Sequence, residues 1–190
     1  MTDDEIVRSL LGAMDKHLQL HSQREFFTFL QTRVAAESFV VHQCGWAIHQ
    51  NLDKLGLSDY RVAFEKPRRA DLVLVPMKAD GSEVEDDSFV FEFKIAWPGS
   101  PKAEGKDAQI LADLLKWNHR KRVFAVAFLF RFENAPDWSC YRFNQISIER
   151  IQEMISSSVG FAPFWEGTAF DLGTDEAKGI GKLVAWRLPG

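Results

Sequence analysis

Several kinds of residue pattern are scarce in this chain, and each scarcity removes a class of protein. Only two cysteines occur in 190 residues, Cys44 and Cys140, too few for a disulfide framework. No apolar run comes near the ~20 residues of a membrane-spanning helix; the most apolar stretch is residues 123–130. The opening residues lack the basic-then-apolar order of a signal peptide, so the expectation is a soluble, cytoplasmic protein with no membrane partner. A basic surplus is also missing. The 23 Lys+Arg face 27 Asp+Glu, a net charge of −4, which argues against indiscriminate coating of nucleic acid. It does not argue against a nuclease, whose metal-binding carboxylates lower the total while a local basic rim attracts phosphate. No glycine-rich nucleotide loop occurs, and Gly179-Ile180-Gly181 is too short to be one. The five histidines, His17, His21, His42, His49 and His119, form no zinc pattern. Cys44 reads as core and Cys140 has no evident activating base.

What is present is ordinary globular composition, 46% apolar and 26% charged, in a length that fits one domain over residues 1–190. Thr2-Asp3-Asp4-Glu5 has the form of a helix capping box, with Ile6, Leu10 and Met14 following at helical spacing. A second box, Ser22 to Glu25, opens a long periodic segment whose stripe runs through Leu30, Val34, Val41, Cys44, Ile48, Leu52 and Leu55, with Gly56 as its stop. Gly45 inside that segment points to a close contact or a bend.

The period then shortens. Residues 60–66, 70–75 and 89–97 read as strands, with Asp80-Gly81 supplying a turn between the second and third. A helix is expected over about 107–118, and the apolar run 122–130 reads as a strand covered on both faces. Residues 139–143 suggest an edge strand, 147–155 a helix capped by Ser147, 156–181 an irregular stretch and 182–188 a last strand. The order helix, three strands, helix, strand describes an α/β fold in which a central mixed sheet is flanked by helices.

The candidate chemistry sits on the third strand. Phe89, Phe91, Phe93 and Ile95 take one face, so Glu92 and Lys94 leave the other face together. Asp71 opens the preceding strand, and a hairpin would bring it across from Glu92. Two adjacent carboxylates repel unless a cation joins them, and an oxygen-rich pair suits Mg²⁺ or Mn²⁺. Such an ion polarises a phosphoryl oxygen and acidifies bound water, with Lys94 placed to orient the water or to stabilise charge on the phosphate. Glu37 falls on the apolar stripe of the long helix, where a glutamate is costly unless paired or coordinated. Gln109, Asp113 and Lys116 lie about a turn apart on the helix after the third strand. Arg61, Lys66, Arg68 and Arg69 cluster before Asp71, and Lys116, Arg120, Lys121 and Arg122 after that helix. Arg68, Arg69, Lys116, Arg120 and Arg122 are the candidate contacts to a phosphate backbone.

Asp71 followed by Glu92-Phe93-Lys94 resembles the Asp…(Asp/Glu)-x-Lys signature of the PD-(D/E)XK nuclease superfamily. Its proline is replaced here by Arg69-Ala70 before the acid. The resemblance covers about residues 22–130, leaving a C-terminal extension, and implies a restriction endonuclease-like core. It further implies a metal-dependent DNA nuclease in which Asp71, Glu92 and Glu37 bind Mg²⁺ or Mn²⁺ and Lys94 assists the attacking water. Gln109 resembles the helix glutamine of exonuclease and RecB-like branches, although the Gln-x-x-x-Tyr of those branches reads Gln109-Ile-Leu-Ala-Asp113 here. Restriction, phage defence or DNA repair would be the setting, and a homodimer would suit double-strand cleavage. The rival readings are a noncatalytic nucleic-acid-binding or assembly subunit on the same fold, an unrelated α/β binding module in which Glu92 and Lys94 are just a cross-strand charge pair, and a hydrolase of a small phosphorylated metabolite, for which no compact phosphate-binding loop is present.

Overall fold

A helix that begins on a capping box starts the chain. In the computed structural model, which describes residues 1–21, 36–65, 70–96, 110, 112, 114–116, 122–132, 147–174 and 177–187, α1 runs Asp3–His21. Thr2 N donates to Glu5 Oε2 at 2.7 Å and Glu5 N to Thr2 Oγ1 at 3.3 Å, the reciprocal pair expected of that motif. Its apolar stripe, Val7, Leu10, Leu11, Met14 and Leu18, is fully buried.

The next described helix, α2, spans Ala36–His49. Phe39, Val40, Val41, Cys44, Ala47 and Ile48 are buried along it. The second capping box and the stripe residues Leu30 and Val34 lie outside the described residues. The end of the helix needs correction. It stops at His49, not at Gly56, because Asn51 N bonds Ile48 O at 2.9 Å and the Asn51 amide donates to Ala47 O at 2.7 Å. These bonds tighten and close the last turn. A separate 3₁₀ turn, Asp53–Leu55, follows, and Gly56 at φ 70° ends that turn instead.

The strands are β1 (Tyr60–Phe64), β2 (Leu72–Pro76), β3 (Phe89–Ala96), β4 (Val123–Phe132), β5 (Trp165–Glu166), β6 (Phe170–Thr174) and β7 (Ala177–Trp186), with α3 (Ile148–Val159) between β4 and β5. They form one seven-stranded mixed sheet in the order β1-β2-β3-β4-β7-β5, with β6 also on β7. Only β3 and β4 run parallel. The helical residues 110, 112 and 114–116 and α3 cover one face of this sheet: Ile110, Leu114, Ile148, Ile155 and Val159 cluster with Val73, Val75, Val90, Ala125, Leu129 and Trp186. On the other face α1 and α2 pack against Leu72, Leu74, Phe89, Phe91, Phe93, Ile95, Phe124 and Phe128. The phenylalanine face of β3 is packed, as its alternation implied, but it is not the only packed side: Val90 is fully buried and Glu92 4% exposed on the opposite face. The chain is an α/β protein with helices on both faces of a mixed sheet.

Residues 156–181, read from sequence as irregular, complete α3 and supply β5, β6 and the first half of β7. Glycines hid β7. A Cβ at Gly181 would stand 2.8 Å from Leu172 Cδ1 and 2.9 Å from Phe128 Cζ, so the residue is glycine because its neighbours come close. The helix at 148 begins where Ser147 Oγ accepts from Arg150 N at 3.2 Å. The edge strand expected at 139–143 lies outside the described residues.

One buried charge on α1 gives the fold a pH dependence. Asp15 is buried, with Oδ2 accepting from Gln19 Nε2 at 2.7 Å, while Oδ1 has no partner among the described residues. Gly167 lies so close that a Cβ there would be 2.4 Å from Oδ1. Burial raises the Asp15 pKa above the ordinary 3.8, and the Thr168 amide, Gln19 and Lys182 pull it back only in part. The folded state then holds its proton more tightly than the unfolded one. This contribution is most favourable below 3.8 and is lost as pH rises through the raised folded value. Asp15→Asn should therefore gain stability relative to the parent as pH climbs out of the acid range. Urea unfolding across that interval checks it, and parallel curves for the two proteins would contradict it.

Candidate active site

The β2–β3 ladder is short, with Leu72↔Phe91, Val73↔Val90 and Leu74↔Phe89 as its pairs, whereas β3 continues to Ala96. Amides alternate in direction along a strand, and Val90 N is spent on Arg122 O at 2.8 Å, toward β4. The amides of Phe93 and Ile95 therefore face the β2 side, beyond its last pair. Buried amides need acceptors, and two carboxylates provide them. Phe93 N donates to Asp71 Oδ2 at 2.7 Å, and Ile95 N donates to Glu37 Oε2 at 3.3 Å. Two residues of strand separate those amides by about 6.6 Å, so the acids lie side by side along one strand edge. The first comes from the end of the β1–β2 connection and the second from the first turn of α2.

Continuing the β2–β3 register by one residue sets Asp71 opposite Glu92, the juxtaposition that the Asp80-Gly81 turn was expected to permit. That turn is formed: Gly81 has φ 81°, and Asp80 Oδ1 accepts from Ser82 N at 2.9 Å and Ser82 Oγ at 2.7 Å. Those two bonds hold the Asp80 carboxyl below its usual range. Glu92 shares the face of Val90, is only 4% exposed, and accepts from Lys116 Nζ at 3.2 Å. Lys94 leaves the same face and donates from Nζ to Phe93 O at 2.7 Å.

A cleft of about 310 Å³ opens beside the acids, lined by Glu37, Ser38, Val41, His42, Phe64, Glu65 and Asp71. Glu65 has φ 55°, a left-handed conformation that costs a non-glycine residue ~1–3 kcal/mol; it turns the chain sharply at the end of β1. The His42 ring lies on Phe64 with centroids 4.8 Å apart and an interplanar angle of 18°, and its Nδ1 bonds Ser38 O at 2.6 Å. Gly45 makes this possible, since a Cβ there would fall 2.4 Å from Phe64 Cζ and 3.1 Å from Leu72 Cδ1. The close contact anticipated at that glycine is real.

The geometry thus gathers Glu37 and Asp71 in the cleft, with Glu92 at the next strand position and Lys94 and Lys116 on the Glu92 face. Gln109, Arg68, Arg69 and Arg120 lie outside the described residues. Arg122 stands apart from the acids, at the other end of β3. Its Nε and Nη2 donate to Asp3 Oδ2 and Oδ1 at 2.7 and 3.0 Å, its Nη1 to Asp87 O at 2.6 Å, and its guanidinium covers Phe89. It ties the start of α1 to the sheet, so its donors are committed away from any phosphate at the cleft. Sequence reasoning overlooked His42, Phe64 and Glu65 as lining residues. His42 carried a legible signal, since it lies five residues beyond Glu37 on a helix already assigned.

Among the described residues no group of three or more His, Cys, Asp or Glu is drawn together as a ready metal cage. The donors present nonetheless suit Mg²⁺, which is usually held by one or two carboxylates with water and substrate oxygens filling the remainder. A carboxylate has about four lone-pair sites, so Asp71 and Glu37 keep acceptor capacity after each accepts one amide. Lys116 makes the electrostatics testable. Lys116→Met removes a cation from beside a carboxylate that is 4% exposed and should cost about 1–3 kcal/mol of stability in EDTA. Mg²⁺ should restore part of that loss in urea unfolding, and identical curves with Mg²⁺ and EDTA would contradict the prediction.

No family model, curated protein or solved structure matches this chain.

Proposed function

We propose that this chain is a divalent-metal-dependent nuclease that hydrolyses DNA phosphodiester bonds on a restriction endonuclease-like core. The observation that carries the reading is at the end of the β2–β3 hairpin: just past its last pair, Leu72↔Phe91, the Asp71 carboxylate accepts from the amide next to Glu92, and Glu37 accepts from the amide two residues further along. The mixed sheet, with three antiparallel strands followed by a parallel fourth, supports the core suggested by the Asp71…Glu92-Phe93-Lys94 pattern.

In this reading Asp71, Glu92 and Glu37 would hold Mg²⁺ or Mn²⁺, drawing closer than they stand without the ion. The bound ion would supply charge to a phosphoryl oxygen and lower the pKa of water. The strand amides of Phe93 and Ile95 fix the Asp71 and Glu37 carboxylates so that neither must reorganise on meeting substrate. Lys94 adds positive charge on the Glu92 face. Lys116 neutralises Glu92, and its charge would become available to a substrate phosphate if a cation occupied the Glu92 carboxylate.

A noncatalytic nucleic-acid-binding role on the same scaffold is favoured by one observation, the Lys116–Glu92 ion pair, which already compensates the central acid. Incubating linear, circular and single-stranded DNA with the protein in Mg²⁺, Mn²⁺ or EDTA separates the two. The nuclease reading requires metal-dependent cleavage that Glu92→Gln and Lys94→Met abolish. Salt-sensitive binding without cleavage in any metal would replace it with the binding role.

A further inference from the structure

The cleft does not end at its acids. Among the described residues, large exposed hydrophobic side chains include only two aromatic ones, Trp46 at 53% and Phe64 at 36% exposure. Phe64 lines the cleft. Trp46 stands one helical turn beyond His42, and its ring lies 5.7 Å from that of His49. Ser38, His42, Trp46 and His49 therefore form one exposed stripe of α2 that begins at the cleft and runs ~16 Å along the helix. The other exposed large hydrophobics, Met1, Leu20, Leu115 and Met154, are aliphatic and belong to other segments.

Three features favour planar, π-bearing groups on this stripe over an aliphatic partner. Its exposed rings are imidazole, indole and phenyl, with no aliphatic side chain among them. The His42 ring is already fixed nearly parallel to Phe64, held by its bond to Ser38 O and by the space that Gly45 leaves. The cleft end carries Glu37, Glu65 and Asp71, so an anionic strand can enter only with a cation, whereas bases further along meet uncharged rings. At about 310 Å³ the cleft lies at the small end of ligand sites, sized for a single nucleotide unit and not for a duplex.

We propose that the cleft and the α2 stripe form a single-strand subsite, in which unpaired bases stack on His42 and Trp46 while the backbone leads a phosphate to the Asp71 end. The phosphate half of this assignment rests on the nuclease reading; the stacking half stands on the rings. Stacking of a base on an aromatic side chain is worth ~1–3 kcal/mol and tolerates any sequence, so the subsite selects single-stranded or frayed DNA without reading bases.

The test uses fluorescence anisotropy in EDTA with three labelled probes: a thymidine oligomer with an uncharged methylphosphonate backbone, an abasic phosphodiester oligomer of equal length, and a thymidine duplex partner. The methylphosphonate strand should bind the parent chain, and Trp46→Ala or His42→Ala should weaken it about 10-fold or more. Abasic and duplex probes should bind more weakly and be indifferent to both substitutions. Both side chains are exposed, so folding is not at stake, and circular dichroism confirms it. Equal binding of base-bearing and abasic probes, or affinity unmoved by both substitutions, overturns the subsite. A duplex bound as tightly as the single strand overturns its selectivity. Cleavage in Mg²⁺ is scored separately: loss of cleavage with stacking intact sinks the nuclease reading alone, and cleavage with no stacking sinks the subsite alone.

Discussion

Asp71→Asn should lower Mg²⁺-dependent DNA cleavage roughly 100- to 1000-fold, the loss that follows removal of one preorganised electrostatic group from an active site. The substitution is chosen for what it preserves. An asparagine oxygen can still accept from Phe93 N, as Asp71 Oδ2 does at 2.7 Å, so the strand edge stays closed and the fold is retained. What disappears is one negative charge beside Glu92 and Glu37, and with it part of the attraction for a dication. The effect should shrink as Mg²⁺ or Mn²⁺ is raised if weakened metal binding is its cause. Full cleavage by Asp71→Asn at limiting metal, in a protein that melts like the parent, would remove Asp71 from the chemistry and the nuclease proposal with it.

Phe91→Ala should cost about 3–5 kcal/mol of stability, enough to unfold many domains of this size. Phe91 is fully buried. Its ring stacks on Phe124 with centroids 5.6 Å apart, and its backbone pairs with Leu72 on one side and Phe124 on the other. It is the last paired residue before the strands part, so its packing fixes the register that sets Asp71 opposite Glu92. Phe91→Leu keeps most of the apolar volume and should cost far less. Urea midpoints for the pair measure the cavity, and near-equal stabilities would show that the phenyl ring does not anchor the hairpin.

Much of the sheet was legible because its strands follow simple rules. The alternation of Phe89, Phe91, Phe93 and Ile95 against Glu92 and Lys94 told which residues share a face, though not that both faces are covered, and Asp80-Gly81 marked the reversal that brings β2 beside β3. The Thr2–Glu5 and Ser147 caps were readable because capping is local chemistry. Long-range contacts were not. Nothing near Asn51 announces that its side chain closes α2 early, and the glycines of β7 read as loop until Leu172 and Phe128 are seen pressing on Gly181. The acids Asp71, Glu92 and Glu37 were singled out from residue type and spacing; that two of them cap neighbouring amides of β3 was not readable. One partner of Glu92 is Lys116, on a helix 24 residues away, and that pairing depends on how the helix settles on the sheet. Arg122 shows the same limit: basic by sequence, it is bound to Asp3 on the far side of the chain order.

The carboxylates at the end of β3 also bear on how the molecule meets its own copies. A strand that outruns its neighbour normally offers bare amides on which a stray extended segment can add itself, the starting point of runaway association. Here Asp71 and Glu37 occupy the Phe93 and Ile95 amides with side chains that bring negative charge. An incoming backbone would have to displace two anions to gain two bonds. The two acids of the proposed site thereby also shield this strand end from foreign chains, and replacing both with apolar residues should lower solubility whether or not the protein cleaves DNA.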